Sequence, residues 1–375
     1  MKDNNDNSNN NNNKYINKKD SNYQNDESSN YIRKDSNNNI KEKDNRLEVL
    51  RVISIFLVIL IHVSSRYLRL YPNINDIPYF YLLSINIISR VCVPLFFMIS
   101  GACLLGRSFD KVKYRKRIIR LITILMFWTI FYYFTNHVNN PLYLVSSIFS
   151  YLKGNGHLWY MYAIIGLYIT EPFISKMVKN MDSNYNILFI KLWLVLSGVV
   201  SFVRIILSVY NINTSIIHPV PLFNGTYYLG YFVFGYIAYN NYKNITFKKN
   251  NLIILSIIPL VINILLNFIL TKHYNIHYEK LLTYSNILIM LPSVCIFLLA
   301  LMFIDNKKSK IIDFITPNIL GIYMFHVYLV EKFKPYFLNI NPFFGIFISS
   351  FVIFILSLVF VYILKHIPVV KKYIV

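Results

Sequence analysis

Long apolar stretches, separated by short polar segments, run along the chain from residue 47 to residue 365. A helix of about 20 apolar residues crosses the ~30 Å hydrocarbon core of a bilayer. Because lipid cannot hydrogen-bond to an open backbone, such stretches cross a membrane as helices. The pattern predicts ten spans, at residues 47–67, 80–105, 118–137, 158–178, 187–209, 227–242, 252–271, 285–304, 318–338 and 343–365.

The first 46 residues lack this pattern. They hold 16 asparagines and few large apolar residues, so they cannot bury enough apolar surface to offset the entropy lost on ordering. We expect a disordered, low-complexity tail at residues 1–46, followed by a membrane-embedded domain at residues 47–375.

Composition agrees with this division. The chain is 55% hydrophobic and only 15% charged, which is typical of an all-α, polytopic integral membrane protein. The net charge of +21 would suit a nucleic-acid-binding protein, but residues 47–375 carry their 29 Lys/Arg mostly in short loops between apolar stretches. That distribution is typical of membrane topology, so we expect a lipid bilayer and no nucleic acid as partner.

Loop charge also predicts the orientation of the chain. The loops after even-numbered spans, with the C-terminal segment, carry 18 Lys/Arg, and the loops after odd-numbered spans carry seven. The more basic loops face the cytosol, which places both termini there. Span 1 then runs outward, with Arg51 near the cytosolic face and His62 nearer the outer face.

Arg51 and His62 bracket an apolar stretch of span 1, eleven positions apart. Eleven residues of helix make three turns and a rise of about 16 Å, so the two side chains share one face at different depths. One interpretation is an anchor, with Arg51 reaching lipid phosphates and His62 capping the outer end. Because an ionisable residue inside a span is a functional candidate, and histidine exchanges protons near neutral pH, His62 is also a candidate for chemistry.

Two further ionisable residues lie inside spans. An unpaired guanidinium in lipid is costly, and Arg90 lies in the middle of span 2. Glu171 in span 4 is the acid nearest to it in depth. We therefore predict an ion pair between Arg90 and Glu171.

Aromatic residues and histidines mark spans 4 and 9. His157, Trp159 and Tyr160 open span 4 on the side of His62, where they form either an interfacial aromatic belt or a platform for a sugar ring. Tyr323 and His326 lie one turn apart in span 9, where they line a tunnel or bond to a neighbouring helix.

Glu331 lies at about the depth of His62. It either orients the His62 imidazole or is an ordinary charge of the outer loop, and we favour the second interpretation.

The cysteines indicate neither a disulfide nor a metal site. Cys92, Cys103 and Cys295 all lie inside apolar stretches, where cysteine packs as a small apolar residue. No metal-binding spacing and no phosphate-binding glycine loop occurs in the sequence, so we expect no metal.

Four stretches in chain order, with one loop motif, resemble the acyltransferase-3 family of integral-membrane enzymes that acylate surface glycans and lipids. "LEVLRVISIFLVILIHV" (47–63) resembles its first helix, with a basic residue, ten intervening residues and a histidine. "SRVCVPLFFMISGACLL" (89–105) resembles its second-helix pattern, and "RIIR" (117–120) its Arg-x-x-Arg motif. "GHLWYMYAIIGLYITEP" (156–172) resembles its His-Leu-Trp segment, and "GIYMFHVYLV" (321–330) a late helix with a Tyr-x-x-His pattern. The resemblance covers residues 46–365.

This resemblance implies transfer of an acyl group, first of all acetyl, from cytosolic acyl-CoA to a hydroxyl of a cell-surface polysaccharide or its lipid-linked precursor. Acetyl-CoA or another acyl-CoA is then a co-substrate, and no bound cofactor is expected. The donor would be bound by Arg117, Arg120 and Arg90. Arg51, predicted with His62 as a catalytic residue, would lie at the cytosolic mouth. The alternative for Arg117 and Arg120 is a purely topological charge.

His62 would act as general base on the acceptor hydroxyl, with a covalent acyl-histidine as the less favoured variant. The acceptor or tunnel residues would be His157, Trp159, Tyr160, Glu171, Tyr323 and His326. A transporter or flippase of a glycan intermediate in the cell membrane fits the composition equally well, and it does not require a base at position 62.

Overall fold

The computed structural model describes residues 33–34, 40–41, 43–136, 156–212 and 227–367. The α-helices are α1 (Asn45–Leu68), α2 (Asp76–Ser89), α3 (Cys92–Leu104), α4 (Lys111–Asn136), α5 (Trp159–Lys179), α6 (Ser183–Trp193), α7 (Val200–Val209), α8 (Tyr227–Asn241), α9 (Lys249–Tyr274), α10 (Ile287–Phe303), α11 (Lys310–Ile315), α12 (Ile319–Phe337) and α13 (Pro342–Leu364). Short 3-10 segments lie at Gly156–Leu158, Tyr242–Asn244, Lys280–Leu282 and Thr316–Asn318, and a π-helical segment at Leu194–Val199 joins α6 to α7.

The N-terminal part described is small. Two two-residue strands, β1 (Arg33–Lys34) and β2 (Ile40–Lys41), pair antiparallel. Most of the predicted tail lies outside the described residues, so its disorder remains a prediction. Helix α1 begins two residues before the predicted start of the membrane domain.

The all-α, multi-span prediction is confirmed. Eight helical segments of the described chain are long and apolar enough to cross a membrane, and they are Asn45–Leu68, Asp76–Leu104, Lys111–Thr135, Ser183–Val209, Lys249–Tyr274, Lys280–Phe303, Lys310–Phe337 and Pro342–Leu364. The two other predicted spans form helices α5 and α8. Helix α8 has only 15 residues, and α5 carries Glu171, Lys176 and Lys179 toward its end. The predicted count of ten spans is therefore approximate.

The ends of the helices follow local side-chain chemistry. The Asp44 carboxylate accepts the Arg46 backbone N–H at 3.0 Å and caps α1. The Asn286 side chain caps α10 in the same way, by accepting the Leu288 N–H at 3.0 Å. Asn and Asp are preferred at this position because their side chains satisfy N–H groups that have no partner within the helix.

The second predicted span is broken in the middle. It was predicted as one helix over 80–105, but α2 ends at Ser89 and α3 begins at Cys92. Pro94 explains the break, because proline has no N–H and its ring clashes with the carbonyl four residues earlier, that of Arg90. In the observed arrangement Pro94 falls in the first turn of α3, where its missing N–H is not needed.

Helix α1 is central in the bundle. It packs against α2, α3, α12 and α13. Helices α3 and α8 approach each other most closely at two glycines, since a Cβ on Gly101 would overlap the Phe232 carbonyl and one on Gly235 would overlap the Met98 carbonyl. Small residues allow this kind of close backbone contact between membrane helices.

His277 lies in the connection between α9 and α10, outside the predicted spans. Its Nδ1 shares a hydrogen bond of 2.7 Å with the Tyr79 hydroxyl, and its Nε2 lies 3.8 Å from Glu279 Oε1. Burial lowers the pKa of His277 to about 4, against the opposing effect of the Glu279 carboxylate. The imidazole is therefore neutral in the folded protein near neutral pH.

Candidate active site

Three histidines from separate parts of the chain form a cluster. His62 comes from α1, His326 from α12, and His157 from the 3-10 turn before α5. The ring centroids of His62 and His326 are 5.1 Å apart, those of His157 and His326 are 5.5 Å apart, and those of His62 and His157 are 6.3 Å apart. We refer to these three residues as the histidine cluster.

Hydrogen bonds fix two members of the cluster. His326 is fully buried, and its Nδ1 lies 3.1 Å from the Ile322 carbonyl oxygen. The Tyr323 hydroxyl donates to the His157 carbonyl oxygen. In the part of the chain that the structure describes, Nε2 of His157 and Nε2 of His326 are buried without a hydrogen-bond partner. Buried polar atoms of this kind normally have a partner, so two ring nitrogens are available to a bound group or water.

A cavity of about 30 Å³ lies beside His62. Its lining is Val58, Ile61, His62, Val93, His157, Trp159, Tyr160, Tyr284 and Tyr323. Since a single water needs about 10–15 Å³ by this measure, the cavity has room for a group of two or three heavy atoms. The lining combines an apolar wall with imidazole and phenol groups, as ligand sites usually do.

Aromatic rings stack at one side of the cavity. Trp159 stacks on Tyr228 with centroids 5.4 Å apart and on Tyr284 with centroids 5.6 Å apart. Tyr160 instead packs against Phe97 and Tyr323, at 4.9 and 5.4 Å. The predicted platform residues thus border the cavity, but Trp159 is already stacked within the protein.

Arg51 and His62 lie at opposite ends of one face of α1, which we refer to as the stripe on α1. Nη1 of Arg51 donates to Glu48 Oε1 at 2.7 Å, and its Nη2 donates to Cys103 Sγ at 3.2 Å. The guanidinium is also within electrostatic reach of Tyr168 on α5. The Arg51 side chain is therefore held by its own helix and by α3.

A second stripe, from His157 in the 3-10 turn before α5 to Tyr168 on α5, matches the stripe on α1 in spacing. His157 and Tyr168 are eleven positions apart, as are His62 and Arg51. The rings of His62 and His157 face each other, and the Arg51 guanidinium is within electrostatic reach of Tyr168, so the two stripes run antiparallel. The backbone of α5 packs mainly against α4 and α8, and the contact with α1 described here is between the rings of His62 and His157.

Arg117 and Glu171 form an ion pair beside Tyr168. Arg117 Nη1 lies 3.7 Å from Glu171 Oε2, and its guanidinium lies 5.9 Å from the centre of the Tyr168 ring. The predicted pair between Arg90 and Glu171 is therefore wrong. The depth in the membrane predicted from the sequence placed Glu171 near Arg90, but the Glu171 carboxylate faces the basic start of α4. Glu171 thus lies at the Arg51 end of the stripes, away from the histidine cluster.

Arg90 takes other partners. Its Nε donates to Asn86 Oδ1 at 3.1 Å, its Nη1 donates to the Leu282 carbonyl at 2.9 Å, and its guanidinium lies 5.8 Å from the Tyr284 ring centre. Tyr284 also borders the cavity. The structure places Arg90 on the His62 side of the site, and not with Arg117. Its role in donor binding stays a prediction, and its position does not favour that role.

Glu331 bonds to a neighbouring arginine, not to His62. The Arg66 guanidinium donates to its carboxylate, one turn beyond His62 on α1. This agrees with the interpretation of Glu331 as an outer-loop charge.

The sequence reasoning missed several residues of the site, among them Val58 and Ile61 in the cavity wall. Tyr284 precedes α10 in a short loop, Tyr228 lies in the first turn of α8, and Val93 is an ordinary apolar residue of α3. Only the position of Tyr284, an aromatic residue in an outer loop next to a span, offered a signal. Among the described residues, no group of three or more His, Cys, Asp or Glu has an arrangement that could hold a metal ion.

Comparison with known proteins gives one match. Residues 44–365 match the Acyl_transf_3 family model, described as an acyltransferase domain. No curated protein matches the chain, and no solved structure matches it.

Proposed function

Since the chain belongs to the acyltransferase-3 family and is a multi-pass membrane acyltransferase, we propose that it O-acylates a hydroxyl of a cell-surface polysaccharide or its lipid-linked precursor. The donor is a cytosolic acyl-CoA, acetyl-CoA in the first place. His62 is the general base.

The observation that carries this proposal is the pair of matching stripes on α1 and α5. Arg51 and Tyr168 form one end, and His62 and His157 form the other, about 16 Å further along the helices. A pantetheine arm is a long, thin chain of similar length. We infer that the arm lies between the two stripes, with cations at its cytosolic end and a base at its outer end.

The reaction at the outer end balances through one proton. His62 takes the proton of the acceptor hydroxyl as the oxygen attacks the thioester carbonyl. A new C–O bond forms, the C–S bond breaks, and the proton passes from His62 to the departing thiolate. The products are the acylated acceptor and CoA with a free thiol.

The cytosolic end offers guanidinium groups to the donor. Arg117 and Arg51 both border Tyr168, and Arg120 is exposed one turn beyond Arg117 on α4. Guanidinium groups suit phosphate because their planar fork donates two parallel hydrogen bonds. Glu171 limits how far Arg117 moves, because the pair holds it against α5.

The size of the cavity supports a short acyl group. Space for two or three heavy atoms beside His62 accommodates the carbonyl and methyl of an acetyl group, and a longer chain meets Val58, Ile61 and Val93. The acceptor would approach from the side of Tyr284 and Trp159, where aromatic faces offer a surface for a sugar ring.

The orientation of the chain is inferred from loop charge, which puts both termini in the cytosol. The acceptor then lies at the outer face of the same membrane. Tags after Asp20 and after Val375 should both be shielded from an impermeant label in intact cells. Labelling of the N-terminal tag would place His62 on the wrong side and overturn the mechanism. Labelling of the C-terminal tag would overturn the even number of spans.

The central experiment is glycan mass spectrometry on cells that express the wild type, His62→Ala, His62→Gln or, as a control outside the site, His273→Gln. The wild type and the control should add the mass of an acyl group to an envelope glycan, and both His62 variants should add none. A general base contributes about 10²–10⁴-fold in rate, so its loss is visible in cells.

The outcomes separate the alternatives. Full activity of His62→Gln, which keeps polarity but cannot take up the proton, removes the general-base role. Absence of any acyl addition by a correctly inserted wild type overturns glycan acylation and favours a flippase.

A further inference from the structure

We propose that His326 is a positioning residue that fixes the tautomer of His62 and aims its free ring nitrogen into the cavity. The inference rests on the proposed function, in which His62 is the base. It extends that function to a buried histidine that had no assigned role beyond lining a tunnel.

The hydrogen bond of His326 determines where its own proton lies. Nδ1 faces the Ile322 carbonyl oxygen at 3.1 Å, and a carbonyl oxygen only accepts. Nδ1 of His326 therefore carries the hydrogen. In the neutral ring, Nε2 then holds a lone pair, and that atom is buried without a partner among the described residues.

The separation of the rings suits a direct hydrogen bond. A ring nitrogen lies roughly 1.1 Å from its centroid and an N–H···N bond spans about 2.9 Å, so end-on imidazoles have centroids about 5.1 Å apart. His62 and His326 are at 5.1 Å. His157, at 6.3 Å from His62, is too far for the same bond. Nε2 of His326 has no partner in the described structure, so the bond requires the His62 ring to turn an N–H toward it.

The consequence for His62 is a defined tautomer. The ring nitrogen that faces His326 must carry the hydrogen, because Nε2 of His326 can only accept. The other nitrogen of His62 then keeps its lone pair and points toward the cavity, where the acceptor hydroxyl would lie. When His62 takes up the hydroxyl proton, His326 stabilises the imidazolium by accepting its other N–H.

The test compares His326→Leu with His326→Gln in the full-length protein in membranes. Acetyl-CoA is the donor, the polysaccharide fraction of the host envelope is the acceptor, and release of the CoA thiol is measured. We expect His326→Leu to lower kcat about 100-fold with the KM for acetyl-CoA changed less than twofold, because donor binding does not involve position 326. Glutamine places an amide oxygen near the former Nε2, so the kcat of His326→Gln should be at least tenfold higher than that of His326→Leu.

Each outcome decides the proposal. If the wild type turns over, two results overturn the positioning role alone. One is an equal rate for His326→Leu and His326→Gln, and the other is full activity of His326→Leu. Absence of polysaccharide-dependent thiol release by the wild type overturns the proposed function and this inference with it. If His326→Leu does not accumulate in membranes, His326→Asn replaces it. The shorter amide does not reach the Nε2 position, and activity equal to that of His326→Gln contradicts the proposal.

Discussion

Val93 is the residue on which we expect the choice of acyl donor to depend. It lies in the first turn of α3, is only 7% exposed, and forms part of the apolar wall of the cavity beside His62. Val93→Ala removes two methyl groups from that wall. The enlarged space should accept an acyl chain that is one or two carbons longer than acetyl.

The magnitude follows from the size of the cavity. At about 30 Å³ it has room for two or three heavy atoms, and Val93 forms part of the wall against which a longer acyl chain would lie. One methylene in an apolar pocket is worth about 1–3 kcal/mol of discrimination, or roughly 10–200-fold in kcat/KM. Val93→Ala should therefore raise the ratio of kcat/KM for propionyl-CoA over acetyl-CoA at least tenfold. The folding cost of the lost methyl groups is on the order of 1–3 kcal/mol.

The assay is release of CoA thiol from acetyl-, propionyl- and butyryl-CoA by membranes that contain each variant. Val361→Ala is the matched control, because Val361 on α13 is also buried but does not line the cavity. An unchanged donor ratio in Val93→Ala would refute the assignment of this cavity to the acyl group. So would an equal change in Val361→Ala, since it would indicate a general loosening of the bundle.

Three further predictions address other parts of the protein. Replacing Arg117 and Arg120 together by Gln should raise the KM for acetyl-CoA at least tenfold, because each charge-assisted hydrogen bond is worth about 1.5–3 kcal/mol; an unchanged KM in correctly inserted protein would leave these arginines a topological role only. Because the pKa of His277 is lowered from 6.5 to about 4, its contribution to stability is complete above pH 6.5 and is lost as the pH falls toward 4, by up to about 3 kcal/mol. The unfolding temperature of His277→Gln, measured as a function of pH, should lack this part of the pH dependence. A pH dependence parallel to that of the wild type contradicts the assignment to His277. Gly101→Ala should lower the unfolding temperature by forcing α3 and α8 apart, whereas Gly166→Ala, with open space at its Cβ, should not; equal stability of the two variants would show that the bundle tolerates the overlap.

Periodicity predicted the spans and the stripe on α1, because both depend only on the apolar pattern and on the helical repeat. Partners across the bundle were not predictable in this way. Arg90 and Glu171 were paired by depth alone, but depth does not say which face of a helix a side chain occupies, and Glu171 faces Arg117 instead. Likewise, His326 was recognised as an unusual residue in a span. Its place beside His62 depends on how α12 packs against α1, which a single sequence does not specify.

The equal spacing of the two stripes restricts how the proposed donor path between them changes in length during evolution. A single inserted residue between Arg51 and His62 would turn one of them by about 100° away from the other and move it only ~1.5 Å. An insertion of seven residues restores the shared face but lengthens α1 by about 10 Å. Helix α5 would then need the same insertion to keep Tyr168 opposite Arg51 and His157 opposite His62. Because four residues turn a helix by about 400° and seven by about 700°, reach across the membrane changes in steps of about one or two turns made in both helices at once. A donor with a longer arm is more easily accommodated by side-chain changes at the two ends.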